Sequence, residues 1–465
     1  MAVALVSSPA PSGEKPRPDS IKLGRETYEA LSREEVRAAG LPWDDVPAQE
    51  NAATWYVRGA QALDALEEDS IARSQMDHAR LNTWDDGMKE LAARLEAARE
   101  ALDLFRRGSA LERCQFPYFV SNAFRLPFHY PLTRKARDAS SLLAAHARSL
   151  EAKGALAEAI DDYIAILRIA RHCANGGLVS FDLGEGRLCC RLGADASLRG
   201  VYRREYPAAE LDRYLGALAR LEGKLPDLSL AGRAEKAWAV SLARRALSPE
   251  TLGLTSFGGP VSPGGMVLLD SPLHRRVFRI IFPDRTIVDD IGRLHDRARA
   301  AMAKPFHEGV VSEADLLVGA KPWDFPLANF AIPLFNLQLE VADLRTDLAL
   351  LRLGVGLRRY RAGFGSYPAT LEGLVERRIL ERLPVDPFSG KSFFYRVKDG
   401  EFVVYSVGPD GKDGGGVFAA QGRGAALDRG FRSDLEPPAA YERPAKEDDS
   451  EEEGPVQGEE QEDEN

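Results

Sequence analysis

Ser392-Phe-Phe-Tyr-Arg-Val-Lys-Asp-Gly-Glu-Phe-Val-Val-Tyr-Ser406, followed at once by Val407-Gly-Pro-Asp-Gly-Lys-Asp-Gly-Gly-Gly416, sets this chain apart from an all-helical protein. Two runs of aromatic and β-branched residues flank Asp399-Gly400. Asp-Gly between such runs is a strong hairpin signal, because the tight turn favoured there needs a positive φ at both central residues. The spacing predicts two short antiparallel strands joined at Lys398-Asp399-Gly400. In the glycine-rich run that follows, Asp410 and Asp413 offer carboxylate oxygens, and a flexible backbone can turn carbonyls toward the same point. A hard cation such as calcium requires that combination. The plainer reading of the same residues is an Asx-type turn, in which each aspartate accepts from nearby backbone amides.

Upstream of the hairpin the pattern is helical. Leu337, Val341, Leu344, Leu348, Leu351 and Val355 share one side of a long helix predicted from about 328 to 361. Gly363 and Gly365 end it, and Tyr367-Pro368 opens a shorter helix carrying Leu371, Leu374 and Val375. Earlier still, Leu91, Leu95, Ala98, Leu102 and Phe105 recur every three or four residues, with Asp85 and Asp86 placed to cap the helix they mark. Ser140 to Leu150 and Ala155 to Cys173 form a helical hairpin broken at Gly154. Its second run resembles one helix of a tetratricopeptide unit, but no second copy follows at that period, which favours an ordinary helical pair. Further helices are expected over 211–221, 232–247 and 287–302.

The expected fold class is therefore α+β. A large, mostly α-helical N-terminal domain spans 26–322, with a Gly/Pro/Ser-rich seam at 253–270, and a small α+β domain spans 323–416. Residues 1–24 read as a disordered leader and 417–465 as a disordered acidic tail.

The formal charge of −10 belongs to that tail. Residues 442–465 hold 12 acidic and 2 basic side chains, which leaves 59 of each sign in the rest of the 465. A neutral body has no field to draw in nucleic acid, and none is expected as a partner. No uninterrupted apolar stretch reaches the ~18–20 residues of a membrane span. The first residues lack the basic segment and the apolar length of a signal peptide, though an anchor encoded upstream stays open.

Catalytic signatures are missing. The sequence contains no G-x-S-x-G, H-E-x-x-H, Walker A or G-x-G-x-x-G pattern. The glycine-rich loop at 257–266 lacks the lysine of a phosphate cradle. The seven histidines are scattered and read as structural, and no catalytic residue is assigned. Cys114, Cys173, Cys189 and Cys190 read as buried thiols, with a pairing of Cys114 in an oxidising compartment left open.

Between about Phe330 and Gly416 the chain resembles the globular part of the major pseudopilin of type II secretion systems. The resemblance rests on Leu357-Arg-Arg-Tyr360, Gly365-Ser-Tyr367-Pro368, Leu371-Glu-Gly-Leu374, Asp386-Pro-Phe-Ser-Gly390 and Tyr405-Ser-Val-Gly-Pro-Asp-Gly411, in that order, over about one fifth of the length. It implies a structural calcium ion held by Asp410, with backbone oxygens near Ser406 and Val407. The family has an aspartate pair shortly after the glycines, and this chain has Asp428 there alone, with Asp413 as the second acid. Pseudopilins begin with a hydrophobic filament helix. Here about 320 residues precede the corresponding region, so ordinary filament assembly is not expected. The whole chain is similar to large uncharacterised proteins of planctomycete-like bacteria, with Gln49-Glu-Asn-Ala-Ala-Thr-Trp-Tyr56 resembling the start of their helical region. These likenesses imply a non-enzymatic, envelope-associated structural or interaction protein with a calcium loop. Two further readings are a cytoplasmic helical scaffold of tetratricopeptide type, and a hydrolase with a site assembled around the 253–270 loop.

Overall fold

The computed structural model describes residues 20–23, 26–38, 40–41, 43–66, 69–120, 127–176, 180–225, 235–237, 239–240, 284–302, 304–310, 332–418 and 428–434. In chain order the elements are β1 (Ile21–Leu23), β2 (Glu26–Ala30), α1 (Arg33–Ala38), α2 (Ala52–Asp64), α3 (Ser70–Leu81), α4 (Lys89–Ala97) and α5 (Arg99–Ala110). Then come β3 (Phe119–Val120), β4 (Pro127–Phe128), α6 (Tyr130–Ala152), α7 (Leu156–Gly176), α8 (Ser180–Arg203) and α9 (Ala208–Glu222). The last group is α10 (Asp284–Met302), a 3₁₀ turn (Phe306–Glu308), α11 (Ile332–Phe364), α12 (Glu372–Glu376), β5 (Phe394–Lys398), β6 (Glu401–Ser406) and β7 (Arg429–Arg432). The protein is mostly helical with a small antiparallel sheet near its C-terminus, in keeping with α+β.

The predicted hairpin forms at the predicted place. Asp399 (φ 55°) and Gly400 (φ 82°) make the turn, and Phe394 pairs with Tyr405 through to Lys398 with Glu401. The long helix runs from Ile332 to Phe364, three or four residues later at each end than the spacing suggests. The helical hairpin is α6 and α7, turned at Gly154 (φ 77°). The helix expected over 91–105 divides into α4 and α5 at Ala98. Its expected cap is corrected. Asp85 accepts the Gly87 amide at 2.6 Å, which spends it on a turn, and Met88 stands at the N-cap with no side-chain hydrogen bond. Most of the 232–247 helix and all of the 253–270 loop lie outside the described residues.

Two features near the C-terminus depart from the expected layout. First, β7 adds a third strand, with Val403 paired to Arg432 and Ser406 to Arg429, inside the stretch read as a disordered tail. The sheet order is β5-β6-β7. Second, the boundary at 323 does not separate two cores. One continuous cluster of buried side chains runs from Tyr56 and Phe105 through Ile166 and Leu198 to Leu351, Leu374 and Val404. α11 lies against α8 and α9 so closely that a Cβ on Gly354 would overlap the Leu198 side chain. The Tyr202 hydroxyl donates to the Gly354 carbonyl at 2.8 Å, and Arg359 meets Asp212 at 2.8 Å. Apolar burial at ~25 cal/mol per Å² holds this junction, and polar contacts fix its register.

A second small sheet, in the order β1-β2-β3-β4, forms near the N-terminus. β1 begins inside the segment read as leader, with Leu23 buried.

Candidate functional sites

The glycine-rich loop is held by four carboxylates, three of them anticipated as metal ligands. Asp428 is buried and accepts the Gly414 amide through Oδ1 at 3.1 Å and the Gly416 amide through Oδ2 at 2.7 Å. Asp413 accepts the Tyr405 hydroxyl at 2.9 Å and the Gly415 amide at 2.8 Å. Partial burial and this hydrogen bond to a carboxylate push the Tyr405 phenol up to about 12. Asp410 is exposed and accepts the Lys412 amide at 3.1 Å, the Asx turn of the plainer reading.

The fourth acid was quoted only as part of the Asp-Pro-Phe motif. Asp386, buried, accepts the Phe388 amide at 3.0 Å, the Ser406 hydroxyl at 2.7 Å and the Ser389 hydroxyl at 2.9 Å. Ser406 in turn accepts the Gly408 amide at 3.1 Å. Ser406 therefore uses its side chain to tie the end of β6 to the Asp386 turn, and Val407 packs with Phe388 and Ala342. Asp410, Asp413, Ser406, Val407 and Asp428 thus belong to one loop, but their carboxylates point at backbone amides and Tyr405. Among the described residues no three His, Cys, Asp or Glu side chains converge as a metal site would need. In this arrangement the carboxylates of Asp410, Asp413 and Asp428 each accept from backbone amides of the loop.

The edge of the sheet at β5 exposes both apolar and charged side chains, Arg396 and Lys398 among them. β5 pairs only with β6 among the described residues, and Phe394, Val397 and nearby Val385 are exposed. Unpaired backbone groups beside exposed apolar side chains are features that other chains can use.

A concavity lies in the helical region, in a stretch that carries no motif. A cleft of about 180 Å³ opens between α4, α5 and the last turns of α6, lined by Trp84, Leu95, Arg99, Arg106, His146 and Lys153 among others. Behind it sits Asp162 of α7, its side chain 2 % exposed, which takes the Arg106 Nε at 2.7 Å and the His146 Nδ1 at 2.6 Å. Arg106 also meets Asp103 at 2.8 Å. His146 and Asp162 are 16 residues apart and come together because α6 and α7 fold back at Gly154. The only sequence signal for the pair is that each falls on the inward side of its own helix.

Other buried titratable groups are structural. The His172 Nδ1 meets the Tyr56 hydroxyl at 2.7 Å, and its Nε2 faces the Arg171 guanidinium at 2.7 Å. Burial and the Arg171 charge push this imidazole down to about 3. All four cysteines are free thiols. Burial raises Cys114 and Cys190, and the neighbouring Cys189 thiol together with burial raises Cys173, so these three have no thiolate character. Among the described residues no helix is long and apolar enough to cross a membrane. No protein-family model, curated protein or solved structure matches the chain.

Proposed function

We propose that the chain is a non-enzymatic, envelope-associated interaction protein whose helical body presents the small C-terminal sheet to a protein partner. The observation that carries this reading is the outer edge of β5, with Phe394 and Val397 more than a third exposed and Val385 60 % exposed next to it. Exposed apolar side chains beside a strand edge with no partner strand among the described residues, at ~25 cal/mol per Å² left in water, are suited to covering by another chain, with Arg396 and Lys398 next to them for polar contacts. The carboxylates of the glycine-rich loop support the same reading, because they stiffen the sheet from behind. The envelope location rests on the resemblance of residues 330–416 to pseudopilins.

Site-specific photo-crosslinking from Val397, in cells fractionated into cytosol and envelope, tests both parts. Adducts to a defined protein in the envelope fraction are expected. Adducts confined to the cytosol would favour the scaffold reading, and their loss in a Val397→Lys, Phe394→Lys variant would tie them to this edge.

A further inference from the structure

We propose that Arg199 and Arg203, on the face of α8 that passes the end of α3, form a binding site for a phosphoryl group. The inference does not depend on the reading of the C-terminal sheet. It starts from a shared acceptor. Arg203 Nη1 donates to the Leu81 carbonyl at 3.0 Å, and Arg199 Nη1 donates to the same oxygen at 3.4 Å. The two residues are one helical turn apart, so their side chains extend the same way, and two bonds to one atom hold the cations beside each other. The carbonyl uses one N–H from each guanidinium, which leaves most of the donors of either fork for another acceptor. Both side chains are half-buried, open to solvent on one side.

The surrounding charges come from α3, α6 and α8. Asp77 of α3 stands 3.6 Å from Arg80, Glu151 of α6 takes Arg148 at 2.7 Å, and Asp195 of α8 stands 3.9 Å from Arg191. Asp195 also feels Arg199 and Arg80. Each acid thus has an arginine of its own, and among the described residues neither Arg199 nor Arg203 forms an ion pair. Two positive charges are left over. The carbonyl ends of α3 and α8 offset up to ~0.5 of a charge each and do not cancel them. Burial and the charges of Arg148 and Arg199 push Arg203 down to about 10, which marks the repulsion here and still leaves it protonated at neutral pH. Its Nε is buried without a hydrogen-bond partner among the described residues. An anion held by both forks relieves that repulsion, with no change of protonation in the protein.

The donors set the ligand class. Planar guanidinium forks side by side match the oxygens of a phosphate. A phosphate monoester offers three oxygens and ~1.5–2 negative charges near neutral pH, where a carboxylate has two oxygens and one charge, so the ester uses more of what the two arginines present. Leu81, 38 % exposed at the same point, gives an apolar contact for the carbon that follows the phosphate. The same group occurs on small soluble esters and on the headgroup of phosphatidate.

The test is isothermal titration of the full chain with inorganic phosphate and with glycerol 3-phosphate, at low salt and neutral pH, beside co-sedimentation with phosphatidylcholine vesicles with and without phosphatidate. Saturable binding in at least one arm is expected. Heat from the soluble probes assigns the site to a free ester, and binding confined to the phosphatidate vesicles assigns it to a headgroup. Either is expected to weaken about tenfold or more in Arg199→Gln and in Arg203→Gln. A melting curve guards the second variant, whose Nε is buried, and Arg199→Gln decides alone if that variant unfolds. Arg213→Gln, on α9 and already paired with Asp161 and Glu210, is expected to leave binding unchanged. Arginines that only cap α3 would bind neither the esters nor the vesicles. That result overturns the proposal, as does binding that is unchanged in Arg199→Gln or equally weakened in Arg213→Gln.

Discussion

Asp428 holds the Gly416 amide at 2.7 Å, so the residue just ahead of the last strand closes a loop that begins at the end of the strand beside it. The same carboxylate holds Gly414 at 3.1 Å, and the glycines there leave room that a side chain would take, since a Cβ on Gly414 would stand 2.9 Å from Asp428. β7 is thereby secured by one buried acid as well as by its ladder. Asp428→Ala leaves two amides without their acceptor and is expected to cost about 2–3 kcal/mol. Asp410→Ala, at an exposed Asx turn, is expected to cost under ~1 kcal/mol. Urea unfolding of the two variants gives the comparison. Equal losses would mean that Asp428 does not organise the loop.

Asp428 already accepts from two amides, Asp413 from the Tyr405 hydroxyl and the Gly415 amide, and Asp410 from the Lys412 amide, so these contacts compete with a cation for the same carboxylates. Millimolar calcium is therefore expected to move the melting temperature by less than ~1 °C. A rise of several degrees that disappears in Asp410→Ala would instead establish a structural ion, because a ligand that binds only the folded state stabilises it by mass action.

Asp347 on α11 gives the junction with α8 a pH dependence. Burial pushes its carboxyl from 3.8 up to about 7, with Asp195 and Asp343 adding to the rise and Arg191 and Arg429 opposing it. The folded state then binds this proton more tightly than the unfolded state. The resulting stability is fully present below about pH 4 and is lost as pH climbs to 7. Because the residue is only partly shielded from solvent, about 1–2 kcal/mol is a realistic size for the loss. Asp347→Asn is expected to flatten this slope and to be the more stable protein at pH 8 by a similar amount. Denaturant midpoints measured from pH 4 to 8 for both proteins show it, and parallel curves would remove Asp347 as the cause.

What could be read from the sequence was local. Asp399-Gly400 dictates its own turn, and the α11 periodicity needs only its own side chains, so both were legible. β7 was not, because Arg429-Gly-Phe-Arg432 has one apolar residue and forms a strand only by pairing with β6, across the loop from which Asp428 reaches back. That Asp410 and Asp413 share one glycine-rich turn could be read from their spacing, but what their carboxylates bind could not, since the same aspartates suit a cation or an amide. His146 and Asp162 were invisible for a related reason. Their contact depends on how α6 and α7 lie against each other. The shared core was hidden likewise, because Gly354 reads as a helix weakness until Leu198 is seen against it.

Glu151 provides the severest expected change. Its side chain is 4 % exposed and accepts from Arg148 Nη1, the Tyr163 hydroxyl and the Tyr206 hydroxyl, each at 2.7 Å. Arg148 itself is 2 % exposed and also donates to the Ala196 carbonyl, joining α6 to α8. Gly200 is where α8 passes this pair, and a Cβ there would overlap both Glu151 and Arg148. Removing one partner strands the other charge in a dry site, so Glu151→Ala is expected to cost about 3–5 kcal/mol. Replacing both with apolar side chains of similar size, as in Arg148→Met with Glu151→Leu, leaves no buried charge and is expected to recover much of that loss. The two tyrosine hydroxyls would still lack Glu151, at ~1 kcal/mol each, so recovery should be incomplete until Tyr163→Phe and Tyr206→Phe are added. Chemical denaturation of this series measures each step. A single Glu151→Ala loss below ~1 kcal/mol would show that water reaches the pair and that α6 and α8 are held by their apolar contacts alone.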